Sequence, residues 1–362
     1  MKRLGAILVA LLLAAEALAC TTAVVSAGAS KSGRPMLWKQ RDANDPYNII
    51  ARVTGGKYAY TGLFPTSDTL HTKCYAGINE AGFALINNLS YNMRPDSVGF
   101  DTVAGPFMAR ALAECATVEE FMAFLEAEPV PRGLSTNFGV ADSHGGAAYF
   151  EAGDSTFVRY DVPDGEILYR TNFSLSGDPS RGRGRERYET MDVLTEPPGL
   201  FDPRFFMQTG RSFIKDGHDD LARASSLLET GYIPRTTTVS SLVIECPIRE
   251  GEHGIMWCAI GYIPCSYAIP VWEGAEIPSV LQGEANLFSV ELFKSVHDGK
   301  TLDARQLRKI IRLVVKAERK ELLEGTRVDR KLHKTGFDPS LVRRFNDKAD
   351  MRFKRFKKRL AI

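Results

Sequence analysis

The sequence is short of several things that usually mark function. It has six histidines and three tryptophans in 362 residues. Its six cysteines, Cys20, Cys74, Cys115, Cys246, Cys258 and Cys265, form no CxxC pair, so zinc-ribbon spacing is absent. His71, His144, His218, His253, His297 and His333 sit mostly in polar, turn-like surroundings, and none is marked as the partner of a catalytic thiol. After residue 19 no apolar run reaches the roughly 20 residues that a helix needs to cross a bilayer. No internal repeat and no low-complexity linker occurs, which sets repeat architectures aside.

What is present points to a globular chain with an export signal. A hydrophobic content of 44% over this length is enough for one large core or two ordinary ones. The chain opens with Lys2 and Arg3, an apolar run from Leu4 to Ala15, and Ala17-Leu18-Ala19. This reads as a secretory signal covering residues 1–19, removed ahead of Cys20, and places the mature chain in the periplasm or outside the cell. Export permits disulfides, and a Cys258–Cys265 bridge is conceivable. Buried small hydrophobes are the better reading of those thiols.

Residues 20 to about 100 run strand after strand: CTTAVVSA, PMLWKQRD, YNIIARVT, KYAYTGLF, KCYAGI and FALINNLS. Helical spacing follows over 105–128, then strands at NFGVADS, AAYFEA, TFVRYDV and EILYRTN. Helices are expected around 180–195 and 218–229, and strands at TVSSLVIE and GIMWCAIG. The pattern predicts an α+β fold of stacked antiparallel sheets covered by helices. A catalytic domain is expected over 20–290 and a basic helical extension over 291–362. Residues 300–362 hold 21 Lys/Arg against 8 Asp/Glu, so with a net charge of +2 overall the rest of the chain carries −11.

The junction AAEALACTTAVV, residues 14–25, raises the chemical question. A cysteine directly after a cleavage site suits either lipoprotein acylation or nucleophilic catalysis from a free N-terminus. In the second case an α-amine titrating near ~7.7–8.0 sits beside a thiol near ~8.5, so proton transfer between them is close to balanced. Nucleophile and base then share one residue and need no histidine. Ala17 stands where lipoprotein signals usually carry leucine. LWKQRD, residues 37–42, supplies cations and a carboxylate that could lie on the strand paired with the Cys20 strand. By alternation Lys39 and Arg41 share one face and Asp42 takes the other, unless a bulge intervenes.

With these pieces in order, the sequence resembles the N-terminal nucleophile hydrolases of the choloylglycine hydrolase and penicillin V acylase type, and most of all their isopenicillin N acyltransferase-like relatives. The resemblance rests on Cys20-Thr21, Lys39-Gln40-Arg41-Asp42, AGINEAGFALINN at 76–88, NFGVAD at 137–142, RTN at 170–172 and GRERYE at 184–189. It implies a four-layer αββα sandwich in which Cys20 is nucleophile and, through its amine, base. It implies that Asp42 holds the amine or thiol and that Asn172 donates its amide to an oxyanion. Asn88, or its neighbour Asn87, would supply a second, backbone donor, and Arg187, with Arg185 as rival, would be the cation near the thiol. The family arginine that contacts substrate falls on Lys39, which keeps the charge and loses the planar fork.

The implied activity is hydrolysis of a non-peptide acyl amide, a small molecule, with acyl transfer to an amine as the alternative and a lipid-anchored binding protein as the different-class alternative. No metal, organic cofactor or nucleic-acid partner is implied. Asn88-Leu-Ser and Asn172-Phe-Ser are also glycosylation sequons, and sugar on Asn172 would exclude its catalytic role. In the tail, Val342, Phe345, Ala349, Phe353, Phe356 and Leu360 form one helical face behind Asp338-Pro339. Docking of that stripe on the catalytic domain is expected ahead of contact with an anionic membrane.

Overall fold

A computed structural model describes residues 19–93, 103–196, 199–215, 217–221, 231–249 and 252–360. The expected signal segment, apart from Ala19, lies outside the described residues. Two antiparallel sheets dominate. One has seven strands in chain order: β3 (Asn48–Val53), β4 (Tyr60–Pro65), β5 (Ala76–Asn79), β6 (Ala84–Leu89), β7 (Thr136–Ala141), β8 (Ala147–Ala152) and β9 (Phe157–Asp161). The other has six, ordered β10 (Ile167–Arg170), β1 (Cys20–Val25), β2 (Met36–Asp42), β13 (Thr238–Glu245), β14 (Ile255–Ile260) and β15 (Ile269–Trp272). A two-stranded ribbon, β11 (Ile214–Lys215) with β12 (His218–Asp219), lies outside both.

Period-two alternation builds the layers. On β6, Ala84 and Ile86 face the other sheet, whereas Phe83 and Leu85 face α1 (Ala104–Glu114) and α2 (Val118–Ala127). Phe107 and Phe121 of those helices pack on Phe138 and Phe150 of β7 and β8. On the far side of the six-stranded sheet lie α3 (Arg185–Thr195), α4 (Pro203–Thr209), α5 (Glu284–Lys294), α6 (Ala304–Thr335) and α7 (Pro339–Leu360). Trp38 of β2 stacks on Phe206 of α4 at 5.2 Å. The order helix, sheet, sheet, helix is the four-layer sandwich expected from the sequence.

Several local expectations change. The helical stretch over 105–128 is two helices, because Thr117 leaves helical geometry and caps the second by accepting from Glu120 N. The expected helix around 218–229 begins instead as β12, and residues 222–230 lie outside the described residues. Helix α4 was not expected, although Asp202 accepts from Phe205 N and Pro203 opens it. Cys258 and Cys265 are both buried and unpaired, so the conceivable bridge between them is not formed. Helix α5 runs across the expected boundary at residues 290/291.

The C-terminal helices dock as their apolar stripes require. Phe345 meets the edge of Trp272 at 5.2 Å, Phe356 that of Tyr267 at 5.0 Å, and Phe353 packs on Phe288. Gly325 sits in the middle of the 32-residue α6, where glycine costs about 1 kcal/mol against alanine. A Cβ there would stand 2.9 Å from the Trp257 ring, so the glycine allows α6 to lie directly on β14. Arg211 clamps the helix: its guanidinium donates to Glu318 Oε1 at 2.7 Å and to the carbonyls of Ile263 and Ser266, while Glu318 Oε2 also accepts from Ala268 N. Both side chains are buried, so removing one partner leaves a charge without compensation. Glu318→Ala should therefore lower stability by about 3–5 kcal/mol, measured by chemical denaturation. A loss under about 1 kcal/mol would show that α6 is not anchored at this pair.

Candidate active site

Cys20 is the first residue of β1, between β2 and β10. The ladder to β2 pairs Cys20 with Arg41 and Thr22 with Lys39, and the ladder to β10 pairs Thr22 with Arg170. Continued one step, the first register sets Ala19 against Asp42, and Asp42 N donates to Ala19 O at 2.9 Å. Continued by two residues, the second sets Cys20 beside Asn172. The expected pairing of the LWKQRD strand with the Cys20 strand is thus present, and β1 is buried throughout.

The nitrogen of Cys20 donates to Asn172 Oδ1 at 2.9 Å. With Ala19 attached this nitrogen is a peptide N–H, and it stands in for the α-amine of a chain beginning at Cys20. Asn172 Nδ2 donates to Leu89 O at 2.8 Å, so in this arrangement the side chain anchors the Cys20 nitrogen. The Leu89 bond takes one of the two N–H groups of the amide that was expected to donate to an oxyanion. Arg187 braces the same group: one guanidinium nitrogen donates to Asn172 Oδ1 at 2.7 Å, and the other to Cys20 O at 2.7 Å and Thr21 Oγ1 at 2.8 Å. Burial lowers the Arg187 pKa to about 10, with Arg235 adding to the effect and Asp42 and Cys20 opposing it. Arg185, the rival, is exposed and donates to the carbonyls of Pro179 and Arg181. Gly184 precedes α3 at φ +81°, and a Cβ there would meet the Arg187 guanidinium at 2.5 Å.

Asp42 is 3% exposed. Its Oδ1 accepts from Thr238 Oγ1 at 2.6 Å, and its Oδ2 is buried with no hydrogen-bond partner among the described residues. Burial raises its pKa, opposed by Arg235, Arg187, the Thr238 hydrogen bond and Arg41. The ladder slips between Thr238 and Ser240, and that irregularity aligns Thr238 with Asp42.

Lys39 and Arg41 share the face opposite Asp42, as alternation requires. Lys39 is buried, donating to Tyr75 O at 2.9 Å and to Asn87 Oδ1. It bridges the point where β5 and β6 separate, past the Ala76–Ile86 pair. Burial lowers its pKa to about 8; Arg41 adds to this, and Cys20, Cys74 and Asp42 oppose it. Arg41 donates to Asn48 Oδ1 at 2.9 Å and lies 4.3 Å from the centre of the Tyr75 ring. The two asparagines separate by alternation. Asn87 turns to Lys39, whereas Asn88 accepts from Thr22 Oγ1 at 2.8 Å and donates to Thr171 O.

Four site groups were not singled out from the sequence: Tyr75, Tyr91, Arg235 and Thr238. Tyr91 N donates to Asn172 O at 3.1 Å, and burial raises the Tyr91 pKa to about 12, with Arg183 opposing and Cys20 adding. Arg235 bears electrostatically on Asp42 and Arg187 from the turn before β13. Nothing in PRTTTV distinguishes Arg235 or Thr238 from an ordinary strand entry.

Residues 42–191 match the family model described as acyl-coenzyme A:6-aminopenicillanic acid acyl-transferase. That match joins a two-sheet sandwich with a cysteine at the head of a central strand. The match and the two-sheet fold support a place in the N-terminal nucleophile hydrolase superfamily. Among solved structures, the chain is similar to a Caenorhabditis elegans N-acylethanolamine-hydrolyzing acid amidase ortholog, at 16% identity, covering 62% of this chain and 92% of that one, with a TM-score of 0.42. It is also similar to penicillin V acylase from Agrobacterium tumefaciens, at 14% identity, covering 70% and 86%, TM-score 0.40. A variant of conjugated bile acid hydrolase from Clostridium perfringens gives 12% identity, 73% and 94% coverage, and a TM-score of 0.44. No curated protein matches the chain in sequence. The chemistry common to this superfamily is acyl-amide hydrolysis or acyl transfer.

Lys39 gives the site a measurable signature. Its folded pKa, about 8, lies below the ordinary lysine value of 10.5, so the unfolded chain binds more protons between those values. Stability contributed through Lys39 therefore rises as pH increases from about 8 towards 10.5 and is flat below that window. Lys39→Met removes the dependence. The melting temperature of the native chain relative to that variant should be higher at pH 9.5 than at pH 7. An unchanged or reversed difference would mean that Lys39 is not held charged against burial.

Proposed function

We propose that the chain is an exported amidase that opens a linear, non-peptide acyl amide through a thioester on Cys20. The observation that carries this reading is Asp42 Oδ2, a buried carboxylate oxygen with no hydrogen-bond partner among the described residues, on the residue laddered against Ala19. Removal of residues 1–19 turns the Cys20 nitrogen into an α-amine with protons to share. Asn172 Oδ1 already accepts one of them, and Asp42 is the nearby acceptor still unsatisfied. A buried orphan acceptor costs about 1–3 kcal/mol, so its persistence fits a group waiting for a donor.

In this mechanism the α-amine takes the thiol proton as sulfur attacks the acyl carbon. The carbonyl π pair moves onto oxygen, and Asn87 Nδ2, which donates to nothing among the described residues, is the candidate donor to it. Collapse breaks the C–N bond, and the ammonium returns its proton to the leaving amine. Water then loses a proton to the α-amine as it attacks the thioester, and the thiol is restored. An amine in place of water makes the same site an acyltransferase, a reading favoured by the family description. A lipid anchor on Cys20 fits less well. Ala17 stands where lipoprotein signals usually carry leucine.

Two comparisons test the proposal. Against a panel of N-acyl amides, chains that begin at Cys20 should turn over substrate, while chains that keep Ala19 and Cys20→Ala chains should not. Equal activity with Ala19 retained would remove the amine as base. Asn87→Ala should slow acylation by about 10²–10³ with KM little changed, the usual effect of losing one oxyanion donor. A change confined to KM would make Asn87 a substrate-binding residue.

A further inference from the structure

Helix α6 sorts its charges by sign. The acids of α6 point inward and are paired: Glu318 with Arg211, Glu321 and Glu324 with Arg352, and Asp329 with Arg34 and the Trp272 indole. Directly opposite the buried face, at helical spacing, run Arg305, Lys309, Arg312, Lys316, Arg327 and Arg330, with Leu323 on the same line and 53% exposed. None of these six cations meets a carboxylate among the described residues. Among the described residues, the lysines and arginines of this unit that pair with acids of the body are Arg308 with Asp219, Arg343 with Glu276 and Lys357 with Glu284. The −11 of the preceding residues therefore does not neutralise the stripe by contact.

A second row, Arg344, Lys348, Met351 and Arg355 on α7, runs beside the first. Together with Arg327 it lines a groove of about 490 Å³ between the helices. A shorter hollow of about 220 Å³ shares Arg355 and adds Leu313, Lys316 and Leu360. Helix α6 alone is about 48 Å long at 1.5 Å per residue, so the face is extended and not a cup for one small anion.

We propose that this face docks on the surface of an anionic phospholipid bilayer. Cations would meet headgroup phosphates, and Leu313, Leu323 and Met351, all exposed among them, would enter the acyl boundary. A single-stranded nucleic acid is less well served, because Phe345, Phe353 and Phe356 are turned into the core and offer no stacking platform. No helix among the described residues is long and apolar enough to cross a membrane, so the contact is peripheral. Charge also fixes the orientation. The face of residues 300–362, at +13, meets the lipid, and the −11 body is held away from it. The proposal does not depend on the catalytic reading.

Flotation of the full chain with phosphatidylcholine vesicles, and with the same vesicles containing phosphatidylglycerol, tests it. Binding should require phosphatidylglycerol and fade as salt rises. The triple variant Arg312→Glu, Lys316→Glu, Arg330→Glu should partition about a hundredfold more weakly while melting as the native chain does. Leu323→Ser with Met351→Ser should lower partitioning several-fold at a salt concentration where the native chain still binds. Binding to neutral vesicles as strong as to anionic ones, an unaffected triple variant, or preference for an oligonucleotide at equal phosphate concentration would each overturn the proposal.

Discussion

The site depends on one arrangement, the pairing of β1 with a strand on each side at the residue where the expected leader ends. The β2 ladder brings Asp42 against Ala19, and the β10 ladder brings Asn172 against Cys20. Strand pairing fixes these positions to within a fraction of an ångström, which a loop would not do. Arg187 then ties three of the converging groups together with a single guanidinium, touching Asn172, Cys20 O and Thr21. Moving β1 by one residue would turn the thiol to the other face and separate the nitrogen from both acceptors.

Burial gives the site its electrostatic character. Lys39, Asp42 and Arg187 are all held away from water, and in each case desolvation is the largest influence on the pKa. Groups in that state respond strongly to a change in a neighbour's charge, because little solvent screens them. The C-terminal helices use the opposite arrangement. On α6 the acids are held in ion pairs and the cations of the opposite face are left in water, so the same chain carries a desolvated polar site and a solvated basic face.

Much of this was legible in the sequence, and the parts that were not have physical reasons. The pairing of the Cys20 and LWKQRD strands followed from β propensity, and the division of Lys39 and Arg41 from Asp42 followed from alternation. The capped start of α7 and its phenylalanine stripe were visible at Asp338-Pro339, where Asp338 accepts from Ser340 N and Leu341 N. The roles of Asn87 and Asn88 could not be divided, because the choice depends on β5 ending at Ala76 and leaving a gap that Lys39 fills. Arg235 and Tyr91 enter the site through turns whose course is set by tertiary packing. The inward acids of α6 could not be told from solvated ones in the sequence, because their buried partners Arg211 and Arg34 come from distant segments.

The most direct measurement is the mass of the Cys20 peptide after rapid acid quench of a chain that begins at Cys20, taken during turnover of an N-acyl amide. The account predicts one added acyl group on that peptide, released by hydroxylamine as a thioester would be, and absent when turnover is complete. Turnover with the Cys20 peptide unmodified at every quench time, or with the acyl group on another residue, would contradict it.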